Sequence, residues 1–132
     1  MVLAVDPGRV RCGIAVVTDE GKALYQAIVA PDGLVEEVRR LKTQFSPQVI
    51  LVGKGTGSAP LIEALEKAVE ETPLVIMEEA YTSEAARRLF VQENPARGWQ
   101  KLLPRALRTP DRPYDDYAAR ILADRWWQLQ RR

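Results

Sequence analysis

The stretch that decides the fold is VLAVDPGRVRCGIAVV, residues 2–17. Its apolar segments, residues 2–5 and 12–17, have the length and the apolar content of buried strands. Between them lie Asp6, Pro7 and Gly8, and the Pro-Gly pair is a turn signal. The pattern predicts two consecutive strands, over about residues 2–6 and 11–18, with the Asp6 carboxylate at the end of the first.

The remaining elements are predicted from apolar spacing and from the glycines and prolines that interrupt it. A third strand over residues 23–29 follows the second through a polar hairpin turn, and Pro31-Asp32-Gly33 ends this region. The last helix, from Tyr114 to about Gln130, is expected to point Ile121, Leu122, Trp126 and Leu129 inward. In between, the pattern predicts strands at 49–52 and 74–78 and an irregular segment at 93–113. Helices are predicted at about 34–45, after the loop 53–58 up to Pro73, and from 82 or 83.

The order of these elements predicts one domain over residues 1–132, an α/β fold with a five-stranded mixed sheet. Two hairpins make the first three strands antiparallel, and helical crossovers make the last two strands parallel to the first. Helices then cover both faces of the sheet. In an open sheet, ligands bind beyond the carboxyl ends of the parallel strands. Asp6, the loop 53–58 and the pair Glu78-Glu79 are expected at that edge.

Bulk composition favours a cytoplasmic protein without a membrane anchor. No apolar run approaches the roughly 18 residues that a membrane span needs. Asp6, Arg9 and Arg11 interrupt the N-terminal region before the apolar core of a signal peptide could form. The single cysteine, Cys12, excludes an internal disulfide and fits a reducing compartment. Because Cys12 falls within a strand pattern, a packing role is expected for it.

Charge is distributed unevenly along the chain. Residues 1–85 contain 8 basic and 13 acidic side chains, whereas residues 86–132 contain 11 basic and 5 acidic ones. The densest basic tract could be an ordinary solvated surface or a footprint for a nucleic-acid backbone. On the second interpretation, the nucleic-acid-binding residues are Arg97, Lys101, Arg105, Arg108 and Arg112.

The chain contains no histidine, which restricts the chemistry available to it. Catalysis by Ser-His-Asp or Cys-His groups is excluded, and zinc would find few ligands. Carboxylates remain, and they suit Mg²⁺ or Mn²⁺. Two such ions about 4 Å apart can activate a water and stabilise the leaving oxygen of a phosphodiester. The candidate carboxylates are Asp6, Glu78 or Glu79, and Asp115 or Asp116.

Four stretches of this sequence resemble motifs of the YqgF/RuvC group of ribonuclease H-like nucleases. Residues 5–16 are similar to its opening Asp-x-Gly motif, basic residue and Gly-(Ile/Val)-Ala, and residues 50–53 to its fourth strand. Residues 78–85 resemble the Asp-Glu-Arg-x-Thr-Thr-x-Glu-Ala block of the YqgF branch. Residues 115–122 resemble its closing Asp-x-x-Ala-Ala helix. The resemblance covers nearly the whole chain and implies a ribonuclease H-like fold.

The resemblance also assigns catalytic metal ligands. Asp6 matches the ligand on the first strand, Glu79 the glutamate of the central block, and Asp115 the aspartate of the closing helix. Asp116 is the alternative on that helix, because the RuvC branch has Asp-x-x-Ala there. Ala80 stands where the family has an arginine, so the phosphate contact of that arginine is not expected here.

The resemblance implies a Mg²⁺-dependent endonuclease acting on structured RNA or branched DNA. Its YqgF side, which the chain length and the block at residues 78–83 favour, implies 5′-end processing of precursor 16S rRNA and a role in ribosome biogenesis. Its RuvC side implies Holliday-junction cleavage, which calls for a homodimer, whereas the rRNA reaction is open to a monomer. Two other classes remain: a nucleotide-binding module, which would need a second such domain, and a non-catalytic nucleic-acid-binding domain.

Each candidate carboxylate also has an ordinary structural interpretation. Asp6 could simply begin the turn at Pro7-Gly8. Glu79 could be a solvated loop residue. Asp115 and Asp116 could stabilise the start of the last helix through its dipole. The metal site therefore depends on whether these side chains come together in the fold.

Overall fold

The computed structural model describes residues 1–55, 58–69, 71–78, 82–93 and 115–131. The five strands are β1 (Val2–Asp6), β2 (Cys12–Val17), β3 (Ala23–Val29), β4 (Ile50–Lys54) and β5 (Leu74–Glu78). The α-helices are α1 (Leu34–Phe45), α2 (Ala59–Ala68), α3 (Thr82–Glu93) and α4 (Asp115–Gln130), and a single 3₁₀ turn, Pro31–Gly33, leads into α1. Each predicted strand and helix is present, within a few residues of its expected bounds.

The five strands form one sheet in the order β3-β2-β1-β4-β5. β1 pairs antiparallel with β2, and β2 pairs antiparallel with β3. β4 lies parallel to β1, and β5 lies parallel to β4. The predicted fold class is therefore confirmed, both in strand number and in the mixture of pairings.

Alternation along the strands divides the core into two layers. In β1, Leu3 and Val5 face α1 and α2, whereas Val2 and Ala4 face α4. Because successive side chains point to opposite faces, Asp6 continues the row of Val2 and Ala4. The Asp6 side chain therefore leaves the strand on the face that α4 covers.

Cys12 is buried in the layer between the sheet and α1, which agrees with the packing role expected for it. Its thiol contacts the backbone oxygen of Gly8 at 3.7 Å. Burial raises the pKa of the Cys12 thiol, and the negative charges of Asp6 and Asp115 raise it further. The thiol is thus held in its neutral, weakly nucleophilic form.

α4 lies across β1 and β2, and it also contacts β3, β4 and α3. Leu122 and Trp126 pack against the sheet as predicted, and Trp127 joins them edge-to-face with Trp126 at a centroid distance of 4.9 Å. Ile121 lies on the side of α4 that packs against α3. The prediction for Leu129 was wrong: it is 53% exposed.

Leu129 lies near the C-terminal end of α4, beside an open groove next to the edge strand β5. There, Val75 and Ile76 of β5 are also exposed, and they border an open groove with Trp126 and Leu129. Helical periodicity identifies the inward side of a helix but does not indicate where the sheet beneath it stops. In the part of the chain that the structure describes, no helix combines the length and apolarity needed to span a membrane.

Candidate metal centre at the end of β1

The site is organised by a backbone contact between β2 and the first turn of α4. A Cβ atom placed on Gly13 would lie 1.9 Å from the backbone oxygen of Asp115 and 2.6 Å from the backbone nitrogen of Asp116. Such distances are far below van der Waals contact, so only glycine allows α4 to begin this close to the sheet. Gly13 therefore fixes where Asp115 enters the structure.

Asp6 lies directly across from this contact. It is the cross-strand partner of Gly13 in the antiparallel pair of β1 and β2. Side-chain positions of such partners are about 4.5–5.5 Å apart on the same face of the sheet. Because the backbone of Asp115 occupies the side-chain position of Gly13, Asp6 and the start of α4 are immediate neighbours. The structure thus places the backbone of Asp115 beside Asp6, and both residues are ligands that the sequence predicted.

The turn between β1 and β2 places an arginine at the same point. A Cβ on Gly8 would lie 2.3 Å from the backbone oxygen of Arg11, so the turn folds back tightly on itself. From the end of this turn, the Arg11 Nε donates a hydrogen bond to Asp115 Oδ2 at 2.7 Å. The two side chains are 47% and 28% exposed, so this ion pair lies at the surface of the site.

Asp116, the second candidate on α4, occupies a different environment from Asp115. It is only 4% exposed, and the Gln26 side-chain amide on β3 donates a hydrogen bond to its Oδ2 at 2.6 Å. A carboxylate this well buried needs such donors, because an unsatisfied one would be costly. Asp116 thus anchors α4 to β3, and Asp115 is the more accessible of the two.

Arg120 extends this anchor to α3. Its Nη1 donates to Gln26 Oε1 at 3.3 Å and to the two carboxylate oxygens of Glu93 at 2.7 and 2.8 Å. The guanidinium also lies over the ring of Tyr117, 5.5 Å from its centroid, which is a cation–π distance. A polar network therefore connects β3, α4 and the end of α3 beside the site.

The remaining predicted residues lie outside the described part of the chain. Glu79, the third expected ligand, falls between residues 78 and 82. The predicted nucleic-acid-binding residues, Arg97, Lys101, Arg105, Arg108 and Arg112, fall between residues 93 and 115. Their placement stays a prediction.

Asp6 and Asp115 fit a Mg²⁺ or Mn²⁺ ion in the chemistry of their donors. Carboxylate oxygens suit these hard cations, and Mg²⁺ is commonly held by only one or two carboxylates, with waters and substrate phosphates completing its shell. Within the described ranges, no three acidic, cysteine or histidine side chains form a group able to hold a metal. A third protein ligand would have to come from another part of the chain, where Glu79 is predicted.

Sequence reasoning named the carboxylates but missed most of the residues that position them. Gln26 is one polar residue in a strand, and nothing local indicates that it reaches α4, 90 positions away. Arg11 and Gly13 were recognised only as parts of a motif, without a structural reason. The available signal was the pairing of Asp6 with Gly13, which follows from the hairpin register once β1 and β2 are aligned.

Comparison with solved structures supports the fold, with matches that cover 98–99% of this chain. RuvC of Thermus thermophilus in complex with a Holliday junction substrate matches with a TM-score of 0.66 and 16% identity, covering 98% of this chain and 94% of that chain. The fowlpox virus resolvase in complex with Holliday junction DNA matches with a TM-score of 0.61 and 13% identity, covering 99% of both chains. No protein-family model matches the sequence, and no curated protein matches it.

The fold is thus the ribonuclease H-like fold of RuvC-type proteins. A second structure of Thermus thermophilus RuvC gives the same result, with a TM-score of 0.63, 16% identity and coverage of 98% of this chain and 95% of that chain. At this level of identity the likeness defines the fold, and function has to be argued from the site.

Proposed function

We propose that this chain is a divalent-metal-dependent endonuclease that cleaves phosphodiester bonds in structured nucleic acid. The observation that carries the proposal is the meeting of Asp6, at the end of β1, with Asp115, at the start of α4, across Gly13. This meeting occurs at the carboxyl end of a parallel strand, where open α/β sheets bind their ligands. A turn residue and a helix-start residue with no shared role would not need to be adjacent.

Asp6 and Asp115, with Glu79 as the expected third ligand, would hold Mg²⁺ or Mn²⁺. A bound ion supplies an activated water and stabilises the leaving oxygen of the phosphodiester. The carboxylates alone would repel a nucleic-acid backbone, so nearby positive charge is required for substrate to approach. Arg11 provides such a charge at the site, and the basic tract between residues 97 and 112 is the proposed source of the rest.

Branched DNA is the first candidate substrate. Two solved structures that match this chain over nearly their full lengths are complexes with Holliday junctions. Cutting two opposite strands of a junction calls for two copies of the site, so this reaction implies a homodimer. The partner is then DNA together with a second copy of this chain.

Precursor 16S rRNA is the second candidate substrate. It is favoured by the resemblance of residues 78–85, Glu-Glu-Ala-Tyr-Thr-Ser-Glu-Ala, to the central block of the YqgF branch. The reaction would be 5′-end maturation, for which a monomer suffices. Both substrates are phosphodiesters, so the same carboxylates would serve either reaction.

The test is to incubate the purified protein with a labelled four-way junction and with precursor rRNA, with Mg²⁺ and with a chelator. Wild-type protein should cleave at least one of the two substrates, and it should do so only when Mg²⁺ is present. Asp6→Asn should abolish this cleavage. Asp19→Asn is the matched control, because Asp19 lies two residues after Val17, whose partner Val2 begins β1 at the end opposite Asp6. Binding without cleavage under every condition would show a non-catalytic nucleic-acid-binding domain instead.

A further inference from the structure

We propose that Arg11 exchanges partners when a divalent ion binds: it leaves the Asp115 carboxylate and binds a phosphate of the substrate. This inference rests on the proposed function, because it concerns the same metal site. It makes Arg11 the residue that links occupation of the site to capture of the nucleic-acid backbone.

The first argument is that Arg11 and a divalent ion compete for one carboxylate. The Arg11 Nε already contacts Asp115 Oδ2 at 2.7 Å. A cation coordinated by Asp115 would be about 2.0–2.6 Å from an oxygen of the same carboxylate. The guanidinium and the ion would then be close like charges in a partly exposed site, and their repulsion favours separation. Binding of the ion therefore weakens the ion pair, and the ion pair weakens binding of the ion.

The second argument is that Arg11 has room to move while its backbone stays in place. The backbone of residue 11 is fixed by the close packing of Gly8 against its carbonyl and by the burial of Cys12 next to it. The side chain, in contrast, is nearly half exposed. Its long and flexible stem can carry the charged group away from Asp115 without disturbing β2.

The third argument is that a released guanidinium next to bound metal is suited to phosphate. Its planar array of donors forms paired hydrogen bonds with two phosphate oxygens, and its charge is permanent. Because Arg11 lies beside Asp115, the phosphate it captures would be at or next to the bond to be cut. The exchange would thus favour substrate binding only when the site holds its ion.

Calorimetric titration with Mn²⁺ alone tests the competition. Removing the charge in Arg11→Gln should tighten Mn²⁺ binding by about two- to fivefold, the factor expected for an exposed ion pair. Arg11→Lys keeps the charge and should stay near wild type. Arg9→Gln is the matched control: it removes an equal charge from the same turn, where Arg9 is exposed, and should change the affinity less.

Binding of an uncleaved four-way junction tests the capture of phosphate. With Ca²⁺ in place of Mg²⁺, Arg11→Gln should lower the salt slope of binding by about 0.7–0.9, which corresponds to one lost phosphate contact. With a chelator, Arg11→Gln and wild type should have equal slopes. Equal slopes under both conditions, or an equal decrease under both, would overturn the exchange.

The same titrations separate failure of this inference from failure of the proposed function. If wild-type protein takes up no Mn²⁺, the metal site itself is wrong. If wild type binds Mn²⁺ and Asp6→Asn does not, while Arg11→Gln matches wild type or binds more weakly, the site stands and the partner exchange is refuted. Unfolding curves of each variant establish that the folded protein is being compared.

Discussion

Gly13 of β2 and Asp115 of α4 are in backbone contact, and a single added methyl group on Gly13 would overlap the Asp115 carbonyl at 1.9 Å. The last helix can therefore begin beside the end of β1 only because residue 13 has no side chain. The two residues come from opposite ends of the described chain, and their contact places a candidate ligand on α4 next to Asp6. The contact also makes the site sensitive to the smallest possible substitution.

Gly13→Ala should lower both stability and metal affinity. The start of α4 has to move away from β2, which costs about 1–3 kcal/mol as overpacking of a close contact. Urea denaturation measures the first effect, and Mn²⁺ titration of the folded variant measures the second. Gly33→Ala is the control, because a Cβ there meets no atom within 4 Å, and it should stay within about 0.5 kcal/mol of wild type. Equal effects of the two substitutions would contradict the packing argument.

Substitutions of the two adjacent aspartates of α4 should have different effects on metal affinity and on the stability of the fold. Asp115→Ala removes the accessible carboxylate, so Mn²⁺ affinity should fall while stability changes by less than about 1 kcal/mol, as for an exposed ion pair. Asp116→Ala removes the buried partner of Gln26 and should cost about 1–3 kcal/mol. Denaturation and titration of both variants check this assignment. A larger loss of metal affinity in Asp116→Ala, measured on folded protein, would reverse it.

Removing the charge from each partner of the α3–α4 ion pair, Arg120 or Glu93, should lower stability by unequal amounts. Arg120 contacts Gln26, Glu93 and the ring of Tyr117, and its side chain is 13% exposed, whereas Glu93 is 42% exposed. Arg120→Met should therefore cost more than Glu93→Gln, by about 1 kcal/mol for the additional contacts. A double-mutant cycle in urea isolates the direct pair. Equal single-variant effects would mean that the contacts of Arg120 with Gln26 and Tyr117 contribute little.

The Asp124 carboxyl should make the stability of the fold depend on pH. Burial raises the pKa of its carboxyl above the ordinary value, and Glu93 acts in the same direction, although Arg120 and Arg131 oppose it. The folded protein therefore holds this proton more tightly than the unfolded chain does. Stability from this group is greatest below the unfolded pKa and is lost as pH rises through the folded pKa.

Asp124→Asn should accordingly raise the melting temperature at neutral pH and give little or no gain in acid. Thermal unfolding at several pH values checks the trend. Glu20→Gln, at an exposed residue near the same end of α4, serves as the control and should leave the pH profile unchanged. A gain that is the same at every pH would assign the effect to packing or hydrogen bonding and not to the charge.

The fold could be predicted from sequence because local signals and global topology agree. The apolar runs that become β1, β2, β4 and β5 are bounded by turn residues, and right-handed crossovers leave few ways to arrange them. The prediction that Leu129 is buried was wrong, and this residue is exposed next to the edge strand β5. No local pattern reports which side chains a sheet edge leaves uncovered.

The candidate site was predictable only in part. The type of side chain identifies possible metal ligands, but it does not identify the residues that hold those ligands in place. Asp6 and Asp115 stood out as carboxylates at the ends of core elements in a chain without histidine. The roles of Gln26 and Arg120 depend on long-range contacts between elements with no local signature. The choice between Asp115 and Asp116 depends on the rotation of α4, and adjacent residues on a helix face directions about 100° apart.

The distance in sequence between Arg11 and Asp115, 104 positions, has a consequence for when the site exists. During synthesis, the strands and the first helices emerge from the ribosome before α4 does. At that stage the nascent chain contains Asp6 but lacks Asp115. The same holds after synthesis whenever α4 detaches locally while the sheet persists. The proposed site for a divalent ion is therefore complete only while α4 is packed against the sheet, and hydrogen exchange of the α4 amides would report how long that state persists.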